Sequence, residues 1–125
     1  MSGGAAVRRT VEVFPPDNYV EIVFKSGVPA NITETAEISS EKGKIHLKYL
    51  RFYVEQNIKA RVEGTAGNDT LVLIADVEGP AEYTVDAEEE WGDVILDKLT
   101  LIATTTADIT SDVKARIEMY GGIVR

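Results

Sequence analysis

The strongest constraint on this chain is the period of two in its hydrophobic residues. Over residues 113–119, Val, Ala, Ile and Met alternate with Lys, Arg and Glu, and residues 58–63 alternate in the same way. Successive side chains of a β-strand point to opposite faces, so this pattern indicates strands with one buried face and one solvated face. These stretches contain little of the three-and-four spacing that an amphipathic helix requires. We therefore predict an all-β fold.

Turn-forming residues divide the chain into short strands, because Gly, Pro, Asn and Asp cluster between the alternating segments. About eight to nine short strands in a chain of 125 residues predict a single-domain antiparallel β-sandwich of jelly-roll-like topology. We place this domain at 7–125 and a flexible N-terminal tail at 1–6. The predicted strands cover residues 7–14, 19–26, 31–39, 44–55, 58–63, 69–77, 82–87, 93–104 and 111–120.

Three segments depart from simple alternation. Within 44–55 the hydrophobic parity changes near Tyr49, which indicates a β-bulge or a strand that changes sheets. Within 93–104 apolar residues crowd together, which predicts a strand covered on both faces. The segment DAEEEW at 86–91 suits either a single helical turn or an acidic loop.

Charge is distributed unevenly along the chain. Residues 1–62 hold nine Lys/Arg and seven Asp/Glu, a net charge of +2, whereas residues 63–125 hold four Lys/Arg and fourteen Asp/Glu, a net charge of −10. The acidic half excludes a nucleic-acid partner, since phosphate contacts need Lys and Arg. Opposite potentials at the two halves favour self-association or contact with other structural subunits, although a solvated acidic face is the simpler interpretation.

Targeting signals are not evident in the sequence. The N-terminus lacks the apolar run of a secretory signal, and no stretch approaches the ~18 apolar residues of a membrane span. We therefore predict cytosolic synthesis and no membrane partner, with incorporation into a virion or another assembly as one destination.

Catalytic chemistry has few candidate residues. The chain has no cysteine and one histidine, His46, which lies in a predicted strand without a nucleophile motif beside it. We interpret His46 as an exposed strand residue and predict a protein that is not an enzyme and carries no cofactor. Loop carboxylates suggest a glycosidase acid/base pair only weakly, because a domain of this size has little room for a deep cleft.

Acidic residues around 86–93 form the one weak metal candidate, a calcium site at Asp86, Glu88 and Asp93. Their spacing does not match an EF-hand, and solvated carboxylates are the simpler interpretation.

Ligand or partner contacts are predicted at two aromatic residues and two arginines. Trp91 lies in the polar context EEEWGD, and Tyr83 lies near a strand end, so either ring could stack on a sugar. The alternative for Trp91 is that it closes the end of the core. Arg8 and Arg9 belong to the N-terminal segment, which would contact other subunits.

Two functional interpretations follow from these observations. The first is a non-enzymatic structural or assembly protein, such as a minor virion subunit that decorates a capsid, or a filament subunit. The alternative is a β-sandwich module that binds carbohydrate or another ligand, based on Trp91 and its acidic loop.

Overall fold

The computed structural model describes residues 18–39 and 43–124. Within these ranges the chain forms two antiparallel sheets and one short helix, which confirms the predicted β-sandwich. The predicted strand at 7–14, the tail at 1–6, Arg8 and Arg9 all lie outside the described residues. The elements are β1 (Tyr19–Phe24), β2 (Thr33–Ser39), β3 (Lys44–Val54), β4 (Ile58–Ala66), β5 (Asp69–Glu78), β6 (Ala81–Asp86), α1 (Ala87–Trp91), β7 (Val94–Leu96), β8 (Lys98–Thr105) and β9 (Val113–Val124).

The sheets are built by a chain that crosses repeatedly from one to the other. The first sheet has the order β1-β9-β3-β6, with β7 also paired to β3, and the second has the order β2-β8-β4-β5. Neighbours in both sheets run antiparallel. Strands β5 and β6 stand last in the two orders, and within the described residues each has one edge without a neighbouring strand in its sheet. Residues of both strands meet on the same side of the sandwich.

The core consists of the inward-facing side chains of both sheets. In β9 the residues Val113, Ala115, Ile117 and Met119 are buried, while their alternating polar neighbours are half-buried. β9 lies between β1 and β3, so the segment with the cleanest alternation occupies an interior position of the first sheet. Alternating burial is equally regular in β4 and β8 of the second sheet.

Strand β3 contains the irregularity that the sequence predicts. Its register with β9 shifts between Leu47 and Tyr49, and the buried positions change parity from Leu47 to Leu50. This register shift allows β3 to stay in one sheet while both halves bury their apolar side chains. The prediction of a bulge is confirmed, and the alternative of a change of sheet does not apply to β3.

The change of sheet occurs instead at Asp97. The segment predicted as one strand at 93–104 is divided into β7, which pairs with β3, and β8, which joins the second sheet. The Asp97 carboxylate accepts hydrogen bonds from Lys44 Nζ at 2.6 Å and from the backbone N–H of Gly67 at 2.7 Å. These contacts explain the difference from the prediction, because a polar residue held at the sheet border interrupts an otherwise apolar segment.

No helix in the described ranges is long and apolar enough to cross a membrane. The one helix found there, α1, has five residues.

Gly79 is required where the turn between β5 and β6 packs on the turn that follows β3. A Cβ atom at residue 79 would collide with the backbone carbonyl of Glu55.

We predict that Gly79→Ala lowers the free energy of unfolding by roughly 1–3 kcal/mol, as overpacking does in a closed site. Gly122→Ala is the matched control, because a Cβ at residue 122 meets nothing within 4 Å. Urea unfolding of both variants tests this, and equal stability of the two would contradict it.

Asp97 should make stability depend on acid. Hydrogen bonds from Lys44 and from the Gly67 backbone hold the pKa of Asp97 below its ordinary value. A carboxylate with a lowered pKa in the folded state stabilises above the unfolded pKa, and this contribution is lost as pH falls. We predict that Asp97→Asn melts at a lower temperature than the parent protein at pH 7, and that the gap narrows as pH falls below about 4. Asp76→Asn, at an exposed position of β5, is the control. A gap that stays constant with pH would contradict the prediction.

Candidate ligand-binding groove

A groove with a volume of about 500 Å³ opens on the side of the sandwich where the two sheets end. One wall belongs to β5 of the second sheet, the other belongs to β6 of the first sheet, and α1 closes one end. The volume lies within the range of small-molecule sites. Its lining residues are Leu73, Ile74, Tyr83, Thr84, Val85, Asp86, Glu89, Glu90 and Trp91. We call this feature the lateral groove.

Helix α1 is short but has defined ends. The Asp86 side chain accepts a hydrogen bond from the backbone N–H of Glu89 at 3.2 Å, which makes Asp86 the N-cap. Gly92 ends the helix at a φ of 79°, and its N–H donates to the carbonyl of Glu88. A residue with this positive φ is best supplied by glycine. The two caps fix where Trp91 leaves the helix and meets the core.

Tyr83 supplies the more exposed ring of the lateral groove. It faces the same side of the sheet as its cross-strand neighbour Phe52, with the two ring centroids 5.3 Å apart and the planes tilted by 36°. Phe52 is fully buried, whereas Tyr83 is 40% exposed because β6 is an edge strand. Burial of its inner side raises the pKa of the Tyr83 phenol. The phenol therefore stays protonated at neutral pH and can both donate and accept a hydrogen bond.

Trp91 is half-buried and packs against the core cluster while lining the lateral groove. The contact with the core agrees with the alternative that Trp91 closes the end of the core, and its contact with a ligand stays a prediction. The sequence nominated Trp91 and Tyr83 separately, and the structure places both in one groove.

The lateral groove combines an apolar floor with acidic groups at one end. Leu73 and Ile74 contribute buried apolar surface from β5, and the exposed side chains of Glu89 and Glu90 lie on α1. Aromatic rings and aliphatic side chains favour a flat apolar surface of a ligand, while carboxylates accept hydrogen bonds from ligand hydroxyl groups. This arrangement suits a small molecule that has both features.

A second depression, with a volume of about 510 Å³, lies at the end of the sandwich near Tyr53. Its main polar groups are already engaged: the Tyr53 hydroxyl donates to Glu55 at 2.5 Å, and the backbone N–H of Lys114 donates to the other Glu55 oxygen at 2.8 Å. Tyr53 is the single aromatic side chain among the residues that line it. We call this feature the end pocket.

The three residues of the calcium candidate have different surroundings. Asp86 caps α1, and Glu88 accepts a hydrogen bond from Lys48 Nζ at 3.3 Å. Asp93 places its Oδ1 atom 3.4 Å from Nε2 of His46. The structure brings Glu88 and Asp93 together with His46, while the Asp86 carboxylate is engaged at the N-terminus of the helix.

His46 is the residue that the sequence interpretation missed. It is 25% exposed, and the pairing of β3 with β7 sets it opposite Ile95 and close to Asp93. The residues that meet here are far apart in the sequence, and no local motif marks the pairing of β3 with β7. The local sequence therefore contains no signal that identifies His46 as part of a cluster.

No protein-family model matches the chain, and no curated protein matches it. Solved structures with a similar fold include the family 32 carbohydrate-binding module of Clostridium perfringens NanJ in complex with galactose. That comparison has a TM-score of 0.49 and 7% sequence identity, and covers 86% of this chain and 99% of that chain. Another is CpGH89CBM32-6, produced by Clostridium perfringens, with a TM-score of 0.46 and 13% identity over 85% of this chain and 95% of that chain. At these identities the likeness concerns the arrangement of the strands.

The expectation of a structural subunit is corrected by this comparison. The solved structures of similar strand arrangement are carbohydrate-binding modules, and neither is a minor virion, capsid-decoration or filament protein. The expected self-association or contact with other structural subunits is likewise not supported.

The fold explains why the charge asymmetry misled that interpretation. Strands from both halves of the chain are interleaved, so cations of the basic half meet carboxylates of the acidic half within one molecule. Uneven charge along the sequence is therefore partly neutralised inside the fold and does not require a partner. Pairs of this kind include Lys25–Asp112, Lys44–Asp97, Lys48–Glu88 and Arg51–Glu82.

Proposed function

We propose that this chain is a non-enzymatic module that binds carbohydrate in the lateral groove. The observation that carries the proposal is that Tyr83 and Trp91, the single tryptophan of the chain, line the same groove of about 500 Å³. A sugar ring has an apolar face of C–H groups and a rim of hydroxyl groups. A site for it needs flat apolar side chains and a few polar groups that fix its orientation.

The aromatic rings supply the flat surface. The ring of Tyr83 packs against the ring of Phe52, and this contact restricts the rotation of the Tyr83 side chain. Trp91 is held by the helix and by the core. Rings that are already ordered lose little conformational entropy when a ligand binds, and more of the contact energy then contributes to affinity.

The carboxylates of the groove favour neutral sugars. Asp86, Glu89 and Glu90 all lie at the α1 end. They accept hydrogen bonds from hydroxyl groups, and they repel a carboxylate or sulfate on the ligand. Sialylated and sulfated glycans are therefore expected to bind more weakly than neutral glycans of the same core.

Binding without hydrolysis is supported by the position of these acids. Glycosidic cleavage by two carboxyl groups places them on opposite sides of the scissile bond, about 5–10 Å apart. Glu89 and Glu90 are consecutive residues of one helical turn, and the facing wall on β5 contributes Leu73 and Ile74. The acids of the described lining thus all lie at the α1 end of the groove, and none lies on the β5 wall.

The proposal is tested with a glycan array followed by calorimetric titration of the sugars that bind. Tyr83→Ala removes an exposed ring, and we expect a loss of affinity of about fivefold or more, the value of one stacked aromatic contact. The control is Ile95→Ala, which removes an exposed apolar side chain of β7 that does not line the groove. Circular dichroism confirms that each variant is folded.

Tyr53→Ala separates the lateral groove from the end pocket. We expect this variant to bind sugar with the affinity of the parent protein. Loss of binding in Tyr53→Ala with normal binding in Tyr83→Ala would contradict the assignment to the lateral groove. Absence of binding to every neutral glycan on the array would contradict the function itself.

A further inference from the structure

Three side chains with metal-binding atoms converge beside the lateral groove. His46 belongs to β3, Glu88 belongs to α1, and Asp93 lies just before β7. One ligand atom of each residue lies within 4.8 Å of those of the other two. None of the three lines the lateral groove, so this cluster is a separate feature of the molecule.

The imidazole of His46 carries a buried nitrogen without a partner. Nε2 has almost no solvent contact, and no described residue forms a hydrogen bond with it. Asp93 Oδ1 is near this nitrogen, but the distance of 3.4 Å is longer than a well-formed hydrogen bond between nitrogen and oxygen. A buried polar atom without a partner destabilises a fold. A ligand that binds Nε2 would remove this cost.

The distance of 3.4 Å has a direct interpretation as a spacing between two metal ligands. Zinc binds imidazole nitrogen and carboxylate oxygen at about 2.0–2.2 Å with tetrahedral geometry, and two ligands of a tetrahedron are then about 3.3–3.5 Å apart. His46 Nε2 and Asp93 Oδ1 already have this separation. Glu88 and Asp93 are both exposed, so their side chains can adjust without moving the core.

We infer that His46, Glu88 and Asp93 form a binding site for a zinc-class divalent ion. One imidazole with two carboxylates is a set of three ligands that suits zinc, and the fourth position remains for water or a ligand atom. Calcium requires six to eight oxygen ligands, and the nitrogen of His46 is not one of them. The inference concerns a different ion, and partly different residues, from the calcium candidate at Asp86, Glu88 and Asp93.

Lys48 is the group that competes with this ion. Its Nζ atom lies 3.3 Å from Oε2 of Glu88, and both side chains are more than a third exposed. A pair this exposed contributes little to stability, so a divalent ion replaces it at low cost. The bound ion would join α1 to β3 and would hold both ends of the segment 88–93, which contains Trp91.

Zinc titration of the complete chain without a histidine tag tests the inference. Calorimetry should give one zinc ion per chain, the fluorescence of Trp91 should change with the same midpoint, and saturating zinc should raise the melting temperature. His46→Gln and Asp93→Asn should each weaken binding by about tenfold or more. Asp93 is 77% exposed, so its substitution tests the ligand without threatening the fold.

Glu90→Gln is the matched control, because it makes the same change of charge on α1 as Glu88→Gln but lies outside the cluster. We expect Glu88→Gln to weaken zinc binding and Glu90→Gln to leave it unchanged. Cobalt(II) should give the intense visible absorption of a tetrahedral site in the parent protein, and His46→Gln should abolish it.

Three results would overturn the inference: no saturable zinc binding, zinc binding that His46→Gln leaves intact, or stabilisation by calcium in place of zinc. These measurements use no sugar, so their failure is distinct from failure of carbohydrate binding.

Discussion

Burial of alternate side chains between two sheets is the constraint on which the whole molecule depends. Each strand gives one face to the core, so its other face is left to polar residues, and the regular burial in β4, β8 and β9 reflects this. The hydrophobic contribution of the inner faces holds the sheets together. Where the sheets end at β5 and β6, no further strand of residues 18–39 and 43–124 covers the inner face. An opening with apolar walls is the direct result, and the lateral groove occupies it.

The outer face of the first sheet carries several charged side chains close together. Arg116 contacts Glu118 at 2.7 Å and Glu21 at 3.1 Å, and its guanidinium lies 3.9 Å from the centre of the Tyr19 ring. Tyr120 donates to the other oxygen of Glu118 at 2.8 Å. Arg116 thus pairs with Glu118 along β9 and with Glu21 across to β1, and such cross-strand pairs of opposite charge stabilise a sheet.

The sequence predicted the fold well and the sites only in part. Alternation over 113–119 is a local signal, and the structure confirms both the strand and its half-buried character. The division of the predicted strand 93–104 at Asp97 was missed, since it depends on contacts with Lys44 and Gly67, which are about thirty residues or more away in the chain.

The same distinction applies to the sites. Trp91 was recognisable from its polar context and Tyr83 from its position near a strand end, but their meeting depends on the turn from β6 into α1. His46 meets Asp93 only because β7 pairs with β3. Such contacts between distant parts of the chain have no signature in the order of neighbouring residues.

Strand β3 is the common support of all these features. It has eleven residues and is hydrogen-bonded to β9 on one side and to β6 and β7 on the other. It carries His46 near one end, Phe52 beneath the Tyr83 ring, and Tyr53 at the end pocket. Backbone amides bonded on both sides belong to the part of a protein that opens least often, and their hydrogen exchange is the slowest. Side chains on β3, and the ring of Tyr83 that packs on it, therefore keep their spacing when the loops fluctuate.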